Sequence, residues 1–183
     1  MLRALKMVTP LLLVAATGPG ENPRFNASGE IVFPADYREW VFLSSGLNMN
    51  YSAGGGESGD EFDNVFVDPA SWRGFKQTGH WPEGTVFAKE GRHGETKGSI
   101  SQSGQWQDGD ATYLELHVRD TRRFASGWGF FEVAGTSPAR VLPEVASCYA
   151  CHQHNGAVDT TFVQFYPTAR AVAVGAGTFD PAK

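Results

Sequence analysis

The sequence predicts an α+β fold: a mostly antiparallel β-sheet with a few short helices in a single domain. Three observations carry this expectation. The middle of the chain holds four short strand candidates, Gly84 to Glu90, Gly98 to Trp106, Ala111 to Arg119 and Gly127 to Ala134, separated by Gly- or Asp-rich turns in the manner of a meander. Glycine is frequent at 22 residues and aromatics make up 13% of the chain, which suits tight turns and an aromatic-lined interior. The 183 residues leave about 160 after an N-terminal leader, enough for one core and too few for two.

The leader is residues 1–18. Arg3 and Lys6 form a basic start, Met7 to Ala16 an apolar stretch, and Val14-Ala15-Ala16-Thr17-Gly18 small residues for cleavage, the pattern of a secretory signal peptide. The apolar stretch is shorter than the roughly 20 residues that span a bilayer. An exported, periplasmic protein is the expectation. Residues 19–34 read as a linker, and 35–183 as the domain.

Within the domain, Tyr37, Trp40, Val41 and Ser44 fall at helical spacing after Pro34 and Asp36, which predicts an amphipathic helix of about three turns. Asn48 to Asp60 is a Gly/Ser/Asn loop, and Phe62 to Val67 alternates as a strand. Asp68 as N-cap with Pro69 at the first helical position opens a short helix carrying Trp72 and Phe75. On the third meander strand Leu114, Leu116 and Val118 share the core face, while Tyr113, Glu115, His117 and Arg119 share a face toward water or a polar cavity. Asp120 to Phe124 begins a helical turn, and Pro143 opens the segment that follows the sheet.

That segment holds the chemistry. Cys148-Tyr149-Ala150-Cys151-His152 uses both cysteines of the chain in a Cys-x-x-Cys-His run, whose two thiols can add across the vinyl groups of a haem while His152 ligates the iron. A structural zinc site with His154 and a thioredoxin-like redox pair are the competing readings. The first strains tetrahedral closure across His152 and His154, and the second places the cysteines far from the start of a βαβ unit. No methionine follows His152 to act as a second axial ligand, and Met49 is the only one beyond the leader. His80, His93 or His117 could serve instead, which would make a bis-histidine electron carrier. The preferred expectation is a five-coordinate iron with an open face for small molecules.

The formal charge of −5 becomes −7 once Arg3 and Lys6 are removed, and no basic run occurs, which argues against nucleic acid or anionic membrane as partner.

Four stretches resemble the cytochrome P-460 family, which includes the cytochromes called c-prime-beta. They are Phe62-Asp63-Asn64-Val65-Phe66-Val67-Asp68-Pro69; Thr78-Gly79-His80-Trp81-Pro82-Glu83-Gly84-Thr85-Val86-Phe87; Leu114 to Asp120 continuing to Gly127-Trp128-Gly129-Phe130-Phe131; and Ser147 to His152 continuing to Phe162-Val163-Gln164-Phe165-Tyr166-Pro167. The resemblance implies a β-rich fold, a homodimer and one high-spin haem c at the C-terminal end. It also implies, for members that oxidise hydroxylamine, a lysine joined covalently to the haem edge and a distal carboxylate. Lys89 best matches the lysine, with Lys76 as rival. Glu115 best matches the carboxylate, with His117 as rival, and its general-base role is expected to draw on burial. Hydroxylamine oxidation with an external redox partner is therefore the first expectation. A nitric-oxide-binding module capped by Phe87, Phe130 or Phe131 is the second, and the bis-histidine carrier the third.

Overall fold

The computed structural model of the chain describes residues 23–49, 60–98 and 100–183. The signal-peptide reading of 1–18 and most of the Asn48 to Asp60 loop lie outside the described residues. Five strands form one antiparallel sheet in sequence order: β1 (Val41–Leu47), β2 (Glu61–Val67), β3 (Val86–Glu95), β4 (Trp106–Arg119) and β5 (Trp128–Val133). Helix α1 (Pro69–Thr78) joins β2 to β3, and α2 (Ser147–Asn155) and α3 (Pro167–Ala176) follow the sheet. The meander and the few short helices expected from the sequence are both present.

The sheet is buried on both faces, which explains why it carries two separate apolar clusters. On one face Val86, Ala88, Leu114, Leu116, Val118 and Phe131 pack against the N-terminal segment through Ile31, Tyr37 and Trp40. On the other face Phe87 and Trp128 pack with Phe75 and Trp81 and with Val163, Tyr166 and Ala169 around α3. Alternation along β3 and β4 sends odd-numbered residues to the second face, so Phe87, Lys89, Tyr113, Glu115 and His117 all point to the side that carries the helices.

Three expectations are corrected. The amphipathic helix over Tyr37 to Ser44 is a single 3-10 turn (Tyr37–Glu39) followed by β1. Its helical spacing arises because Tyr37 and Trp40, three residues apart, are both buried by the turn, whereas pairing with β2 takes Val41 onward into the sheet. Gly98 to Trp106 is not a strand: Gly98 (φ 82°) and Gly104 (φ 97°) place left-handed turns there, and β3 and β4 run longer than expected on either side. The stretch 19–34 read as linker carries core residues, since Ile31 is 2% exposed and bridges Ala139, and Phe25 packs on Phe124 and Phe131.

Asp68 does more than cap. Its carboxylate accepts from Ser71 N at 2.8 Å, as expected of the N-cap of α1, and also from Val86 N at 3.0 Å, tying that helix to the first residue of β3. At the other end of α1, Gly79 (φ 73°) supplies the left-handed cap. Asp68→Ala leaves two buried N–H groups without partners and is expected to lower unfolding free energy by about 2–4 kcal/mol in urea titrations. Asp68→Asn, which keeps one acceptor oxygen, is expected to lose about half as much.

Candidate haem site

Helix α2 has no fully buried residue and no side-chain N-cap, so it cannot be held by an apolar stripe. It is held by two side chains on its inner side. Tyr149 packs edge-on to Phe130 at 4.7 Å and donates to Leu142 O at 3.0 Å. His152 lies among Phe162 (ring centroids 4.2 Å), Phe130 (4.7 Å) and His117 (4.7 Å). Helical spacing puts Cys148 and His152 one turn apart, with Cys151 on the adjoining turn. Both thiols are free and half-buried.

A trough runs along this face of the sheet, in two parts that meet at Glu115, Leu116, Phe130 and His152. The first, about 770 Å³ of space open to solvent, is walled by Phe87, Lys89, Asp63, His117, Phe162 and Phe165, with Met49 also on its wall. The second, about 970 Å³, holds Cys148 and Cys151 together with Glu132 and Leu142. Each has the mostly apolar lining with a few polar groups that is characteristic of a cofactor pocket.

His152 has the neutral, oriented ring that a metal ligand needs. Its Nδ1 sits 2.9 Å from the carbonyl of Thr160, so Nδ1 carries the hydrogen and Nε2 keeps its lone pair. Burial, reinforced by the Lys89 charge, pushes its pKa down to about 4 against the opposing effect of the Thr160 carbonyl. The ring is therefore neutral at neutral pH. Cys148 is held as the thiol, its pKa raised chiefly by burial.

His117 is 8% exposed, stacked on Phe130 at 4.0 Å and beside Trp128 at 4.2 Å. Its Nε2 is the one buried side-chain nitrogen or oxygen without a hydrogen-bond partner among the described residues. Burial, then the neighbouring His152, drives its pKa well down, so it too is neutral. His117 meets His152 edge to face with ring centroids 4.7 Å apart, so it stands beside the expected ligand. His80, His93, His154 and Lys76 are exposed and line neither part of the trough, and Lys76 lies over Trp72 at 5.9 Å.

Lys89 projects into the trough and is held from three sides. Its Nζ donates to Tyr113 Oη at 2.7 Å and lies 3.3 Å from Asp63 and 3.4 Å from Glu115, while Tyr113 donates in turn to Asp63. Burial alone would lower its pKa, but Glu115, the Tyr113 hydrogen bond and Asp63 hold it well above the ordinary lysine range. Burial and the bond to Asp63 likewise raise the Tyr113 phenol, which stays protonated. Lys89 is an ammonium here. Glu115, expected to work as a base through burial, is 48% exposed in its side chain, so that burial is lacking.

The sequence reading brought Lys89, Glu115, His117, Cys148, Cys151 and His152 to one place, and the fold does so. It missed Asp63 and Tyr113 as holders of Lys89, Thr160 as the orienting carbonyl, and Phe162 and Phe165 as walls. Tyr113 was legible from its face shared with Glu115; Asp63 needed the β2–β3 register, which pairs Val65 with Lys89 and Asp63 with Gly91.

These residues fit a haem. Two thiols and a neutral imidazole with a free Nε2 face one trough, its walls are largely aromatic, and the orphaned His117 Nε2 lacks a partner that a bound group could supply. The family model described as Cytochrome P460 matches residues 34–163. No curated protein matches the chain.

His152 gives a pH signature in protein prepared without haem. Unfolded, its imidazole takes up a proton near pH 6.5; folded, it does so only near pH 4. The unfolded chain binds more protons between those values, so stability falls as pH drops across that window, by about 2–3 kcal/mol. His117 acts in the same direction. Urea midpoints at pH 7, 5.5 and 4 are expected to fall in step, and His152→Gln to flatten the decline.

Proposed function

This chain belongs to the cytochrome P460 family, and on that premise we propose that it is an exported, periplasmic c-type cytochrome that oxidises hydroxylamine at an open haem iron. In this reading Cys148 and Cys151 would hold the haem through thioethers, His152 would ligate its iron, and Lys89 would be joined to it covalently. One observation carries it: Lys89, Asp63 and Glu115 form a charged wall in the same trough as His152 and the two thiols.

Held in the trough, the haem would supply redox chemistry toward a small nitrogenous substrate, with an external redox partner as electron acceptor. Hydroxylamine gives up protons and electrons in equal number as it is oxidised toward nitric oxide. Glu115, beside the trough and half-exposed, accepts those protons and returns them to solvent. His152 keeps Nδ1–H on the Thr160 carbonyl, which fixes the ring and makes Nε2 a stronger donor. Phe87, Phe130 and Phe162 restrict the space to small molecules. Joining the Lys89 nitrogen to a haem carbon would replace one N–H and one C–H bond, with Glu115 and Asp63 at hand for the protons released and the external redox partner taking the two electrons. Two copies of the chain would form the homodimer that the family resemblance implies.

A second reading, nitric oxide capture without turnover, draws on the phenyl rings of Phe87, Phe130, Phe162 and Phe165 around the same cavity. Phe131 does not join them in that part, since it packs in the opposite apolar cluster.

The dithionite-reduced optical spectrum separates the two. Hydroxylamine chemistry with a linked lysine predicts a strongly red-shifted Soret band that Lys89→Ala returns to an ordinary high-spin c-type position. An ordinary spectrum in the unaltered protein leaves gas binding. Glu115→Gln is expected to keep the red-shifted band while lowering kcat for hydroxylamine by about 10²-fold.

A further inference from the structure

The carbonyl that orients His152 belongs to a backbone position that a threonine rarely occupies. Asp159 (φ 46°) and Thr160 (φ 60°) are consecutive left-handed residues, neither of them glycine, in a two-residue turn closed by Thr161 N donating to Val158 O at 2.7 Å. A β-branched residue in that region is an outlier that persists only where surrounding contacts over-determine it. Those contacts come from a distant segment, between α1 and β3. The Asp159 carboxylate accepts from Trp81 N at 2.8 Å and faces His80 Nδ1 at 3.0 Å. Trp81 is 1% exposed, stacks on Phe75 at 3.8 Å, and donates from Nε1 to Thr161 Oγ1 at 2.9 Å, which itself donates to Val158 O. Gly156, just past the end of α2, lets the turn approach: a Cβ there would lie 2.7 Å from Thr160 Cα and Thr161 N.

We propose that Asp159 and Trp81 are positioning residues for the haem: by clamping the 158–161 turn they hold the Thr160 carbonyl on His152 Nδ1, and so set the tautomer and donor strength of the axial ligand. This rests on the reading of His152 as that ligand. Neither residue lines either part of the trough, so they act through His152 and touch no substrate. Loosening the clamp weakens the Nδ1–H bond, makes Nε2 a poorer donor and favours ferrous over ferric iron.

The test measures the ferric/ferrous equilibrium of the holoprotein, with its pyridine haemochrome spectrum, and the ¹⁵N shifts of the His152 ring in protein prepared without haem. Asp159→Ala and Gly156→Ala are expected to shift the equilibrium toward ferrous by about tenfold, which is 59 mV for one electron, and to mix the two His152 tautomers. Asp159→Asn, which keeps an acceptor for Trp81 N, should shift it less. If Asp159→Ala lowers the melting temperature while the equilibrium and the tautomer stay unchanged, the clamp is merely structural and the proposal falls. A haemochrome spectrum lacking covalent haem in the unaltered protein would instead sink the ligand reading, and the ring ¹⁵N shifts would still decide whether the clamp acts on His152.

Discussion

The pairing of β3 with β4 is the constraint on which the site depends. It sets Phe87 opposite His117 and Lys89 opposite Glu115, and the next pair in from either lies on the other face, as Ala88 opposite Leu116. A slip of one residue would send the ammonium and the carboxylate into the apolar cluster and turn Ala88 toward the trough. Nothing in the intrinsic preference of Lys, Glu or His for strands enforces this. The opposite face does, because Val86, Ala88, Leu114, Leu116 and Val118 are all nearly or fully buried and admit no alternative register. The chemistry on one side of the sheet is therefore fixed by packing on the other.

The same economy explains α2. A helix without an apolar stripe would fray if left alone, since so short a helix is marginal in water. Here the residue that docks it, His152, is also the one whose Nε2 must be kept free. Docking and the proposed ligation draw on different atoms of one ring: its flat faces and edges meet Phe162, Phe130 and His117, while Nδ1 meets Thr160. The surroundings that bury it keep it neutral, and a neutral ring is what a metal requires.

How much of this was legible in the sequence depended on range. The Cys148 to His152 run, the Asp68-Pro69 helix start and the two faces of Ala111 to Arg119 are local patterns, and each stands where it was expected. Failures came where distant contacts overrode local spacing: Tyr37 and Trp40 have helical separation, yet β2 draws the following residues into a strand. Gly98 to Trp106 contains strand formers, but its two left-handed glycines make turns. Asp63, Thr160 and Asp159 carry no local signature at all. Their roles exist only through strand register or through a backbone conformation that threonine and aspartate do not advertise.

The sheet with a separate hydrophobic cluster on each side has a consequence for divergence. The N-terminal segment, with Ile31, Tyr37 and Trp40, occupies the side remote from the trough, so most of the folding free energy it contributes is indifferent to what the trough contains. Positions 63, 87, 89, 113, 115 and 117 can then be exchanged one by one without unmaking the barrier between the two sides. A lineage with this architecture can trade proton-accepting side chains for phenyl rings, or the reverse, and so pass between capturing a gas and turning over a substrate while the scaffold stays constant.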